Sequence, residues 1–218
     1  MEKLLKAINK NPEKFLEKLD EPKLEKILVY ASDKYYNDEP VIDDDVYDLL
    51  EDRLRELNPK NKILGKTGAP IRGDIEKVRL PVWLGSLDKI KPDTRKLEIW
   101  LEKYTGPYII SDKLDGISGL LVYKKSGKLS IYTRGDGEVG QDISFLGGYL
   151  KLPKLKQDIC IRGEFVMKKK TFEKKYAKVT FPKARTAVNS VVNSKKPDIK
   201  VIKDIDFVGY EIVKKNGD

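Results

Sequence analysis

Apolar positions recur at helical spacing through residues 1–57. Leu4, Leu5 and Ile8 form one stripe, Phe15 and Leu16 follow, and Leu24, Ile27 and Leu28 form the next. Pro12 and Pro22 each stand where a new helix can start. The stretch PVIDDDVYDLLEDRLRELNP (residues 40–59) shows the pattern most fully. Asp43–Asp45 offer an N-cap and an acidic first turn, Val46, Leu49, Leu50, Leu54 and Leu57 make the buried face, and Asn58-Pro59 ends the helix.

Residues 59–80 lack a period and contain Gly65, Gly68, Pro70 and Gly73, so they read as a linker and the candidate domain boundary. After one more helix, DTRKLEIWLEKY, the period changes. YIISDK, ISGLLVYKK, KLSIYTR and DICIRGEFVM are short β-branched and aromatic runs, separated by turn signals at Asp115-Gly116, Ser126-Gly127 and Asp136-Gly137. KKTFEKKYAK predicts a helix and DFVGYEIV a closing strand. The order predicts an α+β protein: a small N-terminal helical module over residues 1–66, then an antiparallel, hairpin-rich sheet domain over 67–218.

A chain of 218 residues with 39% hydrophobic and 36% charged positions can bury a core beneath an ionic surface. Its net charge of +9 is unevenly spread. Residues 1–150 are near neutral, whereas 151–218 hold 18 Lys/Arg against 8 Asp/Glu, which points to a polyanionic partner or to a solvated lysine surface. Cys160 is alone, so an intrachain disulfide and a C-x-x-C zinc pair are both excluded, and a reducing intracellular setting is expected. The chain has no histidine, so chemistry must come from Lys, Asp, Glu, Arg or Tyr. No apolar stretch approaches membrane-span length, and the charged opening MEKLLKAINKNPEKF is not a signal peptide.

Three places can carry chemistry. Lys113 is expected at a strand end, where partial burial and neighbouring cations would favour the neutral, nucleophilic amine. Gly116 after it permits a positive φ and a close backbone approach to a ligand. The bland alternative is a hairpin lysine. The loop TRGDGEVGQD offers Arg134 and backbone N–H groups to a phosphate or ribose, or is a plain glycine-rich turn. If Phe165 faces the core, Glu164 faces the other side, which is either solvent or a ligand cleft.

Taken together, SLD (86–88), KLDG (113–116), TRGDGEVGQD (133–142), RGEFVM (162–167) and FPKARTAV (181–188) occur in the order and spacing of the NAD-dependent DNA ligases. The chain resembles the adenylation region of that family over nearly its whole length. EPVIDDDVYDLL resembles the family's nicotinamide-binding helical module, and GAP (68–70) the junction after it. The resemblance implies an ATP-grasp-like nucleotidyltransferase domain. In it Lys113 attacks the α-phosphate of NAD, nicotinamide mononucleotide leaves, and AMP passes to a DNA 5′-phosphate, with Mg²⁺ as charge partner. Asp115 and Gly116 belong to the nucleophile motif. Ser86 and Leu87 match positions near the adenosine, Arg134 a ribose or phosphate contact, and Glu164 the ribose hydroxyls. Asp44, Tyr47 and Asp48, at i, i+3 and i+4 on one helix face, match nicotinamide contacts.

Three departures mark this chain. Ser111 stands where relatives carry an adenine-recognising glutamate, Tyr35-Tyr36 where they carry Tyr-His, and Asn193 where they carry a later arginine. Arg185 is retained as a DNA contact. The family's later lysine motifs and its further DNA-binding domains would follow this region, so the chain is expected to be an N-terminal portion that does not seal nicks alone. Nicked double-stranded DNA is the implied partner, no membrane is involved, a monomer is expected, and the lysine-rich, histidine-free composition resembles viral members. Two other readings share part of the pattern: an ATP-dependent RNA-ligase or capping-type enzyme, and a non-catalytic nucleic-acid clamp.

Overall fold

The computed structural model describes residues 1–37, 40–64, 76–87, 90, 95–177, 180–194 and 196–213. The GAP junction and the boundary expected at 66/67 lie outside the described residues, as do Gly65, Gly68, Pro70 and Gly73.

The N-terminal module is helical, as the spacing predicts: α1 (Glu2–Lys10), α2 (Glu13–Leu16), α3 (Glu21–Asn37) and α4 (Asp44–Leu57). Leu5, Ile8, Leu24, Ile27, Leu28, Val46, Leu50 and Leu54 form its core. Leu4, Leu49 and Leu57, expected on the buried stripe, are exposed instead. Leu4 and Leu49 each precede a buried leucine by one residue, so each points about 100° away from it around the helix. Asp20 caps α3 by accepting the Lys23 N–H at 3.0 Å, which leaves Pro22 in the first turn where no N–H is needed. Asp43 occupies the N-cap of α4, but its side chain does not cap the helix. It binds Asn9 of α1 instead: the Asn9 amide donates to Asp43 Oδ2 at 3.0 Å and the Asp43 N–H donates to Asn9 Oδ1 at 2.7 Å.

The second part contains β1 (Lys77–Arg79), α5 (Lys96–Lys103), β2 (Ile117–Tyr123), β3 (Leu129–Thr133), β4 (Val139–Gln141), β5 (Ile159–Met167), α6 (Lys169–Lys175), α7 (Ala184–Val192), α8 (Ile199–Ile202) and β6 (Ile205–Val213). Four strands form an antiparallel sheet in the order β3-β2-β5-β6, and β1 pairs with β4. Alternation sorts the sheet into two faces. One face packs Leu121, Ile131, Phe165 and Met167 against Ala187, Val188, Val191 and Val192 of α7. On the other face, Leu120, Val122 and Cys160 are covered by Leu80 and Leu84, whereas Ser118 and Glu164, directly paired across β2 and β5, are left uncovered by that cluster.

Four expectations fail here. YIISDK is not a strand: Ile109 and Ile110 are 97% and 96% exposed and no ladder forms along them, because β propensity without a partner strand makes no strand. Asp115-Gly116 is therefore not a hairpin turn, and Lys113 lies in an extended loop leading into β2 rather than at a strand end. Gly116 also lacks a positive φ. Its requirement is space, since a Cβ there would lie 2.1 Å from the Phe165 carbonyl oxygen. The other two turns hold, with Gly127 and Gly137 at φ +84° and +98°.

Candidate nucleotide site

The uncovered end of the sheet, the loops before it and the helical module enclose a cavity of about 1770 Å³. Ordinary small-molecule sites span about 300–1,000 Å³, so there is room for a ligand with two heterocycles.

The nucleophile loop forms one wall. Ser111 and Lys113 both line the cavity and both are exposed, so the partial burial expected for Lys113 is absent. Leu114, the next residue, is half-buried and also lines the cavity. Asp115 lies off the main cavity. It borders a smaller pocket of about 210 Å³ and pairs with Arg185 at 3.7 Å.

Glu164 stands at the base. Burial pushes its carboxyl pKa up, while the Ser118 hydroxyl and then the charges of Arg185, Arg134 and Lys113 pull it back. Three cations therefore surround one carboxylate, an arrangement suited to a phosphate group beside hydroxyl-bearing ribose.

Arg134 projects from the end of β3. Its Nη1 donates to Ser86 Oγ at 3.1 Å, and its guanidinium carbon lies 4.9 Å from the Tyr36 ring centroid. The turn after it is tightened by Asp136, whose carboxylate accepts the N–H groups of Glu138 and Val139 at 3.0 and 2.8 Å. Those two donors are thus committed within the turn and are not offered to a ligand. Ser86 and Leu87 sit on the cavity rim, Leu87 at 69% exposure; Asp88 lies outside the described residues.

Arg185 begins α7, an element the sequence reading did not identify. The valines of α7 resemble a strand, although Ala187, Val188, Val191 and Val192 also fit a helical face. The α7 packing holds Arg185 inside the seam, with its side chain only 12% exposed, where Nη1 donates to the Gly116 carbonyl. Its guanidinium carbon is 4.1 Å from the Tyr35 ring centroid. Asn193, at the other end of α7, donates to the Tyr36 carbonyl at 3.4 Å.

The helical module supplies the facing wall through Tyr35, Tyr36, Asp44, Tyr47 and Asp48. The Tyr35 and Tyr36 rings meet edge-to-face at 5.1 Å. Burial raises the Tyr35 phenol pKa against the opposing pull of Arg185, and burial pushes Tyr47 up to about 12 with help from Glu51.

Tyr210 on β6 is a cavity residue that the sequence reading missed. A register shift between Arg162 and Gly163 breaks the β5–β6 alternation, so counting by twos along β6 does not show which way Tyr210 points. Ser118 was missed because only cross-strand pairing places it beside Glu164. Among the described residues, no cluster of His, Cys, Asp or Glu is suited to hold a metal ion, and no helix is long and apolar enough to cross a membrane.

Comparison with known proteins gives this site a family. The chain is 46% identical to a DNA ligase of Acanthamoeba polyphaga mimivirus, over 92% of this chain and 32% of that protein. It is 30% identical to a DNA ligase of Treponema pallidum, over 79% of this chain and 22% of that protein, and 32% identical to one of Lactobacillus gasseri, over 72% and 26%. Identity to the viral relative thus exceeds identity to these two bacterial ones. The chain spans about a third, or less, of the length of these curated relatives. The family model for the NAD-dependent DNA ligase adenylation domain matches residues 81–218, and the chain belongs to that family.

Proposed function

We propose that this chain carries out the adenylation step of NAD-dependent DNA ligation. The observation that carries the reading is the single cavity shared by Lys113, Arg134 and Glu164 on one side and by Tyr35, Tyr36, Asp44, Tyr47 and Asp48 on the other. A nucleotidyltransferase needs the first group; the second is apt for a flat heterocycle with an amide.

In this reading NAD is a substrate. The Lys113 amine, once deprotonated, attacks the α-phosphorus. A P–N bond forms, the P–O bond to the bridging oxygen breaks, and nicotinamide mononucleotide leaves with that electron pair. Arg134 and Arg185 offset the charge developing on the phosphate oxygens, since phosphoryl transfer depends on positioning and charge neutralisation. Glu164 and Ser118 accept ribose hydroxyls. Tyr210 and Leu87 supply apolar contact to the adenine, with Ser86 and Ser111 as polar neighbours. Tyr35, Tyr36 and Tyr47 supply stacking and edge contacts to the nicotinamide, with Asp44 and Asp48 accepting from its amide or ribose. Asp115 holds Arg185 in place.

Among the described residues, no cluster of acidic side chains offers a donor set for a resident Mg²⁺. Nicked duplex DNA is the proposed AMP acceptor. The exposed lysines of α6 and of the stretch before β5, including Lys151, Lys154, Lys156, Lys169 and Lys170, support a salt-sensitive phosphate contact. A direct DNA contact by Arg185 would require it to leave its seam position. The proposed working state is a monomer inside a cell.

The test is intact-mass analysis after incubation with NAD or with ATP. AMP on Lys113 from NAD, absent in Lys113→Ala, is expected. An adduct from ATP alone would replace this reading with the ATP-dependent one. Salt-sensitive duplex binding with no adduct from either would leave a non-catalytic clamp.

A further inference from the structure

Arg162 lies outside the groups assigned above, yet it connects three parts of the fold. From β5, its Nη1 donates to both carboxylate oxygens of Glu211 on β6, at 2.9 and 2.8 Å. Its Nη2 donates to the backbone carbonyl of Trp83, 79 residues away in sequence. Its Nε–H is buried without a partner, so the guanidinium is oriented by the other two contacts at the cost of one unmade hydrogen bond.

The segment reached by that second contact holds the cavity rim. Leu80 N–H donates to the Glu138 carbonyl at 2.7 Å and Leu84 N–H to the Gly137 carbonyl at 2.9 Å. Both bonds run to the turn after β3. Arg134, at the start of that turn, donates in its side chain to Ser86. The turn therefore holds one side of the segment and Arg162 holds the other. Trp83 is 57% exposed, with its indole laid over Gly85 and beside Gly137, and its carbonyl is the point that Arg162 holds. An isolated surface ion pair does little. Arg162 differs because its side chain is 20% exposed and its fork joins a carboxylate to a backbone carbonyl across two layers.

We propose that Arg162 is a positioning residue for the adenosine side of the cavity: it clamps the Trp83 carbonyl against β6 through Glu211 and thereby sets where Ser86 and Leu87 meet the ligand. The inference rests on the NAD reading above, and it concerns binding rather than chemistry.

The experiment uses the full chain in a Trp100→Phe background, so that Trp83 is the reporting indole, and titrates it with NAD. Loss of a charge-assisted hydrogen bond to the loop should raise the half-saturating NAD concentration about tenfold in Arg162→Gln. Arg162→Lys keeps the charge but not the fork, so it should fall between. Glu211→Gln should shift in the same direction. The adduct rate at saturating NAD should stay within about twofold, because Lys113 is untouched. Unchanged half-saturation in Arg162→Gln overturns the proposal, and so does a loss of melting temperature, saturation rate and affinity together, which would show a structural strut only. If the parent binds NAD but forms no adduct, the lysine chemistry fails while Arg162 is still judged from binding. If the parent binds no NAD, both readings fall.

Discussion

The guanidinium of Arg185 lies 4.1 Å from the ring centroid of Tyr35, and this contact ties the sheet domain to the helical module. Arg134 repeats it on Tyr36 at 4.9 Å. The two tyrosines proposed for nicotinamide are thus each faced by an arginine proposed for the phosphate side. The two half-sites thus contact each other through these pairs, and a ligand that stacks on either tyrosine would compete with its arginine.

Tyr35→Leu should weaken the seam by about 1 kcal/mol, the scale of a partly buried cation–π pair. Thermal melting reads that loss. If Tyr35 also serves nicotinamide, the variant should lose AMP transfer from NAD more than any transfer from ATP. Equal losses from both nucleotides would count against the nicotinamide assignment.

Gly116→Ala places a Cβ 2.1 Å from the Phe165 carbonyl oxygen, a backbone atom that cannot rotate aside. The expected cost is about 1–3 kcal/mol, as for overpacking elsewhere in protein cores. Because Gly116 immediately precedes β2 and accepts from Arg185 through its carbonyl, the same change should displace Lys113 and slow adduct formation. Urea denaturation and single-turnover adenylation measure the two effects separately.

The raised pKa of Glu164 makes neutral pH costly at that position. Its carboxyl ionises more readily in the unfolded chain than in the folded one. Stability is therefore lost as pH rises through the unfolded value, about 4.3, toward the folded one. Below that window the group contributes nothing. Glu164→Gln should be more stable than the parent at pH 7 and equal to it near about pH 4, while AMP attachment falls. Greater stability of the parent at pH 7 would show that the three cations outweigh the burial.

Tyr47 and Tyr176 are both pushed up to about 12, chiefly by burial, with Asp204 accepting from the Tyr176 hydroxyl at 2.6 Å. Unfolding releases both to titrate near about pH 10. Stability should fall as pH rises from about 10 toward 12, and Tyr47→Phe should make that fall shallower. Absorbance titration of the phenolates should show Tyr47 and Tyr176 among the last of the chain's 11 tyrosines to ionise, with burial also delaying Tyr35, Tyr123 and Tyr210.

Much of this was legible because short-range rules apply where packing is simple. The leucine spacing in Asp44–Leu57 needs only one buried side, and the Glu164–Phe165 alternation needs only a sheet with two unlike faces. The misses share a cause. YIISDK has strand chemistry, but a strand exists only with a neighbour. β1 is three residues long, too short to show a period. Asp43 has the composition of a cap, but Asn9, 34 residues away, takes its side chain. Tyr210 was hidden by one extra residue in the β5–β6 register.

By itself, then, the order of residues determined a helical module and a later antiparallel sheet, which follow from local periodicity and side-chain type, while Lys113, Arg134, Glu164 and Arg185 were grouped by the resemblance of their motifs to those of a known family. Only the tertiary structure decided that the two parts share one cavity, that Arg185 lies under Tyr35 rather than on the outer surface, and that Arg162 reaches Trp83. Each of those depends on where chain segments far apart in sequence come to rest. That outcome is set by burial and by the pairing of backbone groups, which no local pattern records.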